Sequence, residues 1–166
     1  MWKWLLIIAA SLIGLVVLTA LVGMFLPKGH RASRTVTFPA PPAAVFATIT
    51  DVARYPEWRT DVTKVEVMPD DGNGLLFREY GKQGAIAMRV EASERDSRLL
   101  VRIADSSLPF GGTWTYILKP AGKGTELTIT EDGEIYNPIF RVMSKIVFSP
   151  YATIDAYMEG LRKRLA

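Results

Sequence analysis

Glu131 is the residue on which chemistry in this chain would turn. It continues the apolar face of Leu127 and Ile129 at a spacing of two, so in a regular strand its carboxylate points to the same side as theirs. A carboxylate on an apolar face is costly unless paired. Such a group suits acid–base work or the holding of a ligand's polar end. Arg78, Arg89 and Arg102 are candidate partners. The alternative, a strand-end carboxylate reaching solvent beside Asp132 and Glu134, stays open. Asp105 poses the same question at the end of the Leu99, Val101, Ile103 face, and Tyr116 is a further acid–base candidate.

Other chemistries are excluded by composition. The chain has no cysteine, so it has no thiol nucleophile and no cysteine zinc site. His30 is its one histidine, and 28–33 reads as a linker. That placement takes histidine triads and multi-histidine metal sites out of the folded domain. Gly111-Gly112 opens a strand rather than a helix, so no phosphate-cradling loop is expected and no cofactor is implied.

The elements that must position Glu131 follow from periodicity. Val36 and Phe38 alternate with polar residues as in a half-buried strand, and Pro42 starts a short helix carrying Val45, Phe46 and Ile49 on one face. Asp51 to Trp58 reads as a second short helix or turn. Six strands follow, over 62–68, 75–80, 85–94, 99–103, 114–118 and 127–131, separated by turns too short for parallel crossovers. The segment 138–165 is helical with an apolar stripe, and Pro150 should kink or divide it after Ser149. In such a meander the turns at 81–84, 106–112 and 133–138 fall at one end, with Leu108-Pro109-Phe110 as an apolar lip.

Trp4 to Leu26 contains no charged residue. Its 23 residues span about 34 Å as a helix, enough for a hydrocarbon core of about 30 Å. Trp2 and Trp4 sit where an aromatic belt would lie, and Pro27 and Gly29 end the helix. A cleaved signal peptide is the rival reading. Its apolar part is shorter, about 7–15 residues, and Leu18-Thr19-Ala20 is a poor cleavage site. Residues 1–27 are therefore read as a single-pass membrane anchor and 34–166 as one domain. Ala10 and Gly14 offer a small-residue spacing for helix pairing. Lys28, Arg31 and Arg34 follow the helix while Lys3 alone precedes it, which places the domain in the cytoplasm. The net charge of +3 arises beside the membrane: from Thr35 onward 16 basic residues face 17 acidic ones. The domain has no basic footprint for nucleic acid.

The order strand, two short helices, six strands, long helix resembles the helix-grip superfamily of START, Bet v 1-like and polyketide cyclase/dehydrase domains (SRPBCC). It is most similar to bacterial polyketide cyclase/dehydrase and lipid-transport members. The residues that carry the resemblance are Val36 to Phe46 around Pro39, Pro41 and Pro42, then Asp51 to Trp58, and Tyr157-Met158-Glu159-Gly160-Leu161 near the end. It covers Arg34 to Leu165. It implies an α+β fold, with a curved antiparallel sheet of about seven strands wrapped around a long C-terminal helix. It also implies a pocket between the two for a hydrophobic small molecule, such as a lipid, isoprenoid or polyketide-like compound.

By alternation and helical spacing the residues expected to line that pocket are Met88, Val101, Ile103, Trp114, Tyr116, Ile129 and Glu131 from the sheet, and Met143, Val147 and Met158 from the last helix. Taken singly, each also suits plain core packing. The expected function is a membrane-tethered binding module rather than an enzyme. A cyclase- or dehydratase-type enzyme and a non-catalytic scaffold are the alternatives.

Overall fold

The structure is a computed structural model and describes residues 2–69, 71–82, 84–147 and 149–166, the Val147 side chain excepted. It opens with α1, Trp2–Phe25, whose apolar side chains point outward on all sides; Gly23 is its one buried residue. Exposures of 59% at Leu12 and 65% at Ile13 exclude a core helix. Twenty-four residues rise about 36 Å, so α1 is long and apolar enough to cross a bilayer, a property it shares with export signals.

The strands are β1 (Gly29–Phe38), β2 (Val62–Val67), β3 (Leu76–Gly81), β4 (Gly84–Glu94), β5 (Arg98–Ile103), β6 (Phe110–Ala121) and β7 (Gly124–Ile135). They form one sheet in the order β1-β7-β6-β5-β4-β3-β2, and every neighbouring pair is antiparallel. Irregularities between Val62 and Lys64 and between Val90 and Ala92 bend the sheet. The stretch 28–33, expected to be a linker, instead belongs to β1 from Gly29 onward. Alternation explains this: His30, Ala32, Arg34, Val36 and Phe38 share one face, and Ala32 and Phe38 are buried on it.

Between β1 and β2 lie α2 (Pro42–Thr50), a single 3-10 turn (Val52–Arg54) and α3 (Tyr55–Trp58). Pro42 occupies the first turn of α2, where its missing N–H costs no hydrogen bond. The terminal helical segment is divided as Pro150 requires, into α4 (Pro138–Val147) and α5 (Ala152–Arg164). Ile154, Tyr157, Met158 and Leu161 form the buried stripe of α5 against the concave face of the sheet. The core there includes Val45, Ile49, Leu127 and Ile129, all without exposure.

The first ten residues of that segment do not cover the sheet: α4 packs along α1. Pro138 lies so close to Gly23 that a β-carbon on Gly23 would fall 2.0 Å from the Pro138 carbonyl oxygen. Arg141 is buried and has no carboxylate partner among the described residues. Its guanidinium donates to the carbonyls of Ile135 (2.8 Å), Tyr136 (2.8 Å), Gly23 (3.1 Å) and Leu26 (3.4 Å). A cation thus meets the negative end of the α1 dipole and satisfies carbonyls that a helix terminus leaves free. The Ile135 N–H donates to the Lys28 carbonyl and the Tyr136 N–H to Pro109. The loop before β6, the end of β7 and the end of α1 therefore gather at one end of the sheet.

Replacing Arg141 with Ala should strand these acceptors and lower stability by about 1–3 kcal/mol. Arg141→Lys, which keeps the charge but loses the planar fork, should fall between. Thermal unfolding of the full chain in detergent micelles measures both; an Arg141→Ala midpoint equal to the parent's would show that the clamp contributes nothing.

Candidate functional site

The register of the sheet assembles the concave face. Glu131 on β7 sits between Ala32 on β1 and Trp114 on β6; Trp114 neighbours Val101 on β5; Ile103, two residues further along β5, neighbours Met88 on β4. The start of α5 is tied to β1, because Arg34 bonds Asp155 at 2.9 Å and lies 3.7 Å over the Tyr151 ring. Arg34 is level with Ile129, so Glu131 and His30 lie beyond the point where α5 begins. There Met88, Ile103 and Trp114 are apolar and only partly buried, Met88 and Trp114 packing against the edge of the core.

His30 is the partner of Glu131, with Nε2 3.6 Å from Oε1. Gly133 makes room for it: a β-carbon there would lie 2.2 Å from the imidazole Cε1. Burial raises the Glu131 carboxyl above its ordinary value, and His30 offsets part of that rise. Two of the three arginines named as candidate partners are engaged elsewhere, Arg89 with Asp71 and Arg102 with Glu91, and Arg78 makes no ion pair with Glu131 among the described residues. Asp105 turns into its own loop and accepts from the Ser107 backbone and hydroxyl, which lowers its pKa.

A second polar cluster is largely buried, with Asp61 at its solvent edge. Arg59 bonds Glu79 at 2.8 Å and Asp61 at 2.6 Å, and its guanidinium carbon lies 5.0 Å from the Tyr55 ring centroid and 5.2 Å from that of Tyr157. Burial raises the Glu79 carboxyl despite Arg59. Burial likewise raises the phenols of Tyr55, Tyr116 and Tyr157. Tyr55 donates to the Ile49 carbonyl at 2.7 Å, and the buried Tyr157 hydroxyl faces the Tyr55 and Tyr116 phenols without a bond of ordinary geometry among the described residues. Its ring packs edge-on against Trp58 at 5.0 Å and lies 5.6 Å from Tyr116 and 6.0 Å from Trp114.

A cleft of about 350 Å³ lies between Ile49, Val52 and Tyr55 on the helical side and Leu75, Val90, Leu99 and Val101 on the sheet side. Ligand pockets run from about 300 to 1,000 Å³, so this space suits a small apolar group. Of the residues expected to line a pocket, Val101 borders this cleft. Met88, Ile103, Trp114 and Glu131 adjoin one another at the open end of the concave face. Tyr116, Ile129 and Met158 are packed in the core. Met143 stands exposed on α4, away from this group, and the Val147 side chain lies outside the described residues.

Sequence reasoning passed over His30, Arg59, Glu79 and Tyr157 as site residues. Alternation carried a signal for two of them: His30 shares the period of Ala32 to Phe38, and Glu79 that of Phe77. Among the described residues no group of three or more His, Asp or Glu is placed to hold a metal ion.

Residues 29–166 match the family described as polyketide cyclase / dehydrase and lipid transport. No curated protein sequence matches the chain. Several solved structures share the fold. A START superfamily protein from Mycobacterium smegmatis is 17% identical with a TM-score of 0.65, over 82% of this chain and 97% of its own. The Zhui aromatase/cyclase from Streptomyces sp. R1128 is 13% identical with a TM-score of 0.66, over 82% and 93%. A point mutant of norcoclaurine synthase from Thalictrum flavum, in complex with a transition-state analogue, is 12% identical with a TM-score of 0.65, over 82% and 94%. At these identities the likeness is one of fold.

The raised Glu131 pKa has a consequence for stability. Below the ordinary glutamate value of 4.5, folded and unfolded chains are both protonated there. As pH rises past it, the unfolded chain ionises first and the folded state loses stability, until the folded carboxyl ionises too. Glu131→Gln cannot ionise. Its melting temperature should gain on the parent's between pH 4 and pH 7. A difference that stays constant across that range would contradict the assignment.

Proposed function

Because the chain belongs to the polyketide cyclase/dehydrase and lipid transport family, we propose that it is a membrane-anchored binding module for a hydrophobic small molecule, such as a lipid, isoprenoid or polyketide-like compound. The observation that carries this reading is the uncovered end of the concave face. Met88, Ile103 and Trp114 are only partly buried there, beside the His30–Glu131 pair. Apolar side chains left open on the inner face of a sheet gain about 25 cal/mol for each Å² a ligand covers. The neighbouring polar pair sets the ligand's orientation.

In this reading residues 1–27 are the anchor and the remainder is one helix-grip domain. The basic residues Lys28, Arg31 and Arg34 hold that domain on the cytoplasmic side. The near-neutral charge beyond Arg34 argues for an apolar partner over nucleic acid.

The full chain, purified in nanodiscs of bacterial lipid, should retain an apolar compound detectable by mass spectrometry after solvent extraction. The double variant Met88→Asp, Ile103→Asp should lose it by about tenfold or more while remaining folded by circular dichroism, since two charges would be buried beneath the ligand. Equal recovery from parent and variant would sink the binding site. Intact mass of the membrane-associated protein tests the anchor: loss of the first 20 or so residues would mean a cleaved export signal.

A second reading, an enzyme of cyclase or dehydratase type, is favoured by one observation: the chain's single histidine meets a carboxyl with a raised pKa at the open end of the site. If the extracted compound is chemically altered by the parent but returned unaltered by Glu131→Gln, the enzymatic reading holds. Identical recovery from both leaves the binding module.

A further inference from the structure

The face of α4 opposite Arg141 has no partner among the described residues. Ile139, Phe140, Met143 and Ile146 recur at spacings that place them on one side of the helix, with exposures of 37%, 52%, 43% and 76%. Their surroundings identify what covers them. α4 lies along the last turns of α1, where Thr19, Ala20 and Gly23 are the α1 residues shielded from solvent. Arg141 pins the two helices through the carbonyls of Gly23 and Leu26. Thr19 stands six residues before the end of α1, about 9 Å along the axis. A medium that surrounds α1 therefore also bathes the adjacent α4 face. With the end of α1 at the bilayer surface, this depth of about 9 Å falls within the range of about 5–10 Å to which the apolar face of an interfacial helix sinks. Lys145 on α4 is exposed, and Lys28 and Arg31 follow α1, so cationic groups stand at the level of anionic headgroups.

We propose that α4 is a second bilayer contact, lying in the interfacial layer of the leaflet at the C-terminal end of α1 with Ile139, Phe140, Met143 and Ile146 in the acyl boundary. This rests on the reading of α1 as a spanning helix. Its consequence is a fixed orientation. The open end of the concave face, with Glu131 and His30, lies at the same end of the sheet as the end of α1, because the Lys28 carbonyl accepts from Ile135 on β7. The site then faces the membrane, and a membrane-dissolved ligand reaches it without crossing bulk water.

The chain lacks cysteine, so single cysteines report position without background. Phe140→Cys and Ile146→Cys test α4; Leu12→Cys tests α1; Lys123→Cys, in the exposed turn at the opposite end of the sheet, is the aqueous control. The full-length variants are reconstituted in vesicles of phosphatidylethanolamine and phosphatidylglycerol, opened by a mild detergent pulse so that both faces are accessible. Each is labelled with a membrane-impermeant maleimide. In parallel, each carries an environment-sensitive fluorophore and is titrated with brominated phospholipid. Residues 140, 146 and 12 should react at least about tenfold more slowly than residue 123, because the reactive thiolate forms poorly outside water. Their fluorophores should be quenched by brominated lipid. Residue 12 protected while 140 and 146 react as fast as 123 would overturn the placement of α4 and leave the anchor standing. Residue 12 reacting as fast as 123 would overturn the anchor and, with it, this proposal. Residues 140 and 146 protected but unquenched would mean that protein, a second copy of this chain included, covers α4, and would also overturn it.

Discussion

A concave sheet must be covered along its length, and here the cover is too short. β6 and β7 contain 12 residues each, about 40 Å of strand, while the 13 residues of α5 rise only about 20 Å. A continuous helix from Pro138 to Arg164 would span about 40 Å and close the face. Pro150 forbids that continuity, and the ten residues of α4 lie along α1 instead. The incomplete burial of Met88, Ile103 and Trp114 follows from this mismatch of lengths, as does the accessibility of Glu131.

Charge is handled differently at three places on the inner side. Arg59 is largely buried with Glu79 among aromatic rings, with Asp61 at the solvent edge, and the paired charges hold the β2–β3 edge to α3 and α5. Arg34 bridges β1 to Asp155 at the start of α5 and so sets where the covered zone begins. Glu131 and His30 lie outside that zone, at 3.6 Å, with enough burial to disturb the carboxyl and enough access to meet a ligand. Arg141 makes a fourth arrangement with no counter-ion, its charge dispersed over four backbone carbonyls at the joint of α1, β7 and α4. A charge satisfied by neutral dipoles resists displacement only while all of them hold position, which makes that joint stiff.

Much of this was legible locally. The apolar run of α1, the alternation of the strands, the short turns between them and the break at Pro150 all lie within a few residues of the features that cause them. The strand spacing also put Glu131 on the inner face with Leu127 and Ile129, as observed. His30 was misread because a histidine next to Gly29 and Pro27 looks like a linker. Its place in β1 depends on pairing with Gly133, about a hundred residues away. Arg59 and Tyr157 were not singled out, because their meeting joins the α3–β2 turn to α5. Gly23, which no spacing singled out, carries the close approach of α1 to α4.

The sequence by itself determined the elements, their order and which face of each strand is apolar, since these follow from period and from the backbone limits of proline and glycine. The tertiary structure alone decided where α4 goes, which partner Glu131 receives and which rings surround Arg59. Those outcomes depend on contacts between segments distant in sequence, and on the competition between α1 and the sheet for the same ten-residue helix, which no local pattern records.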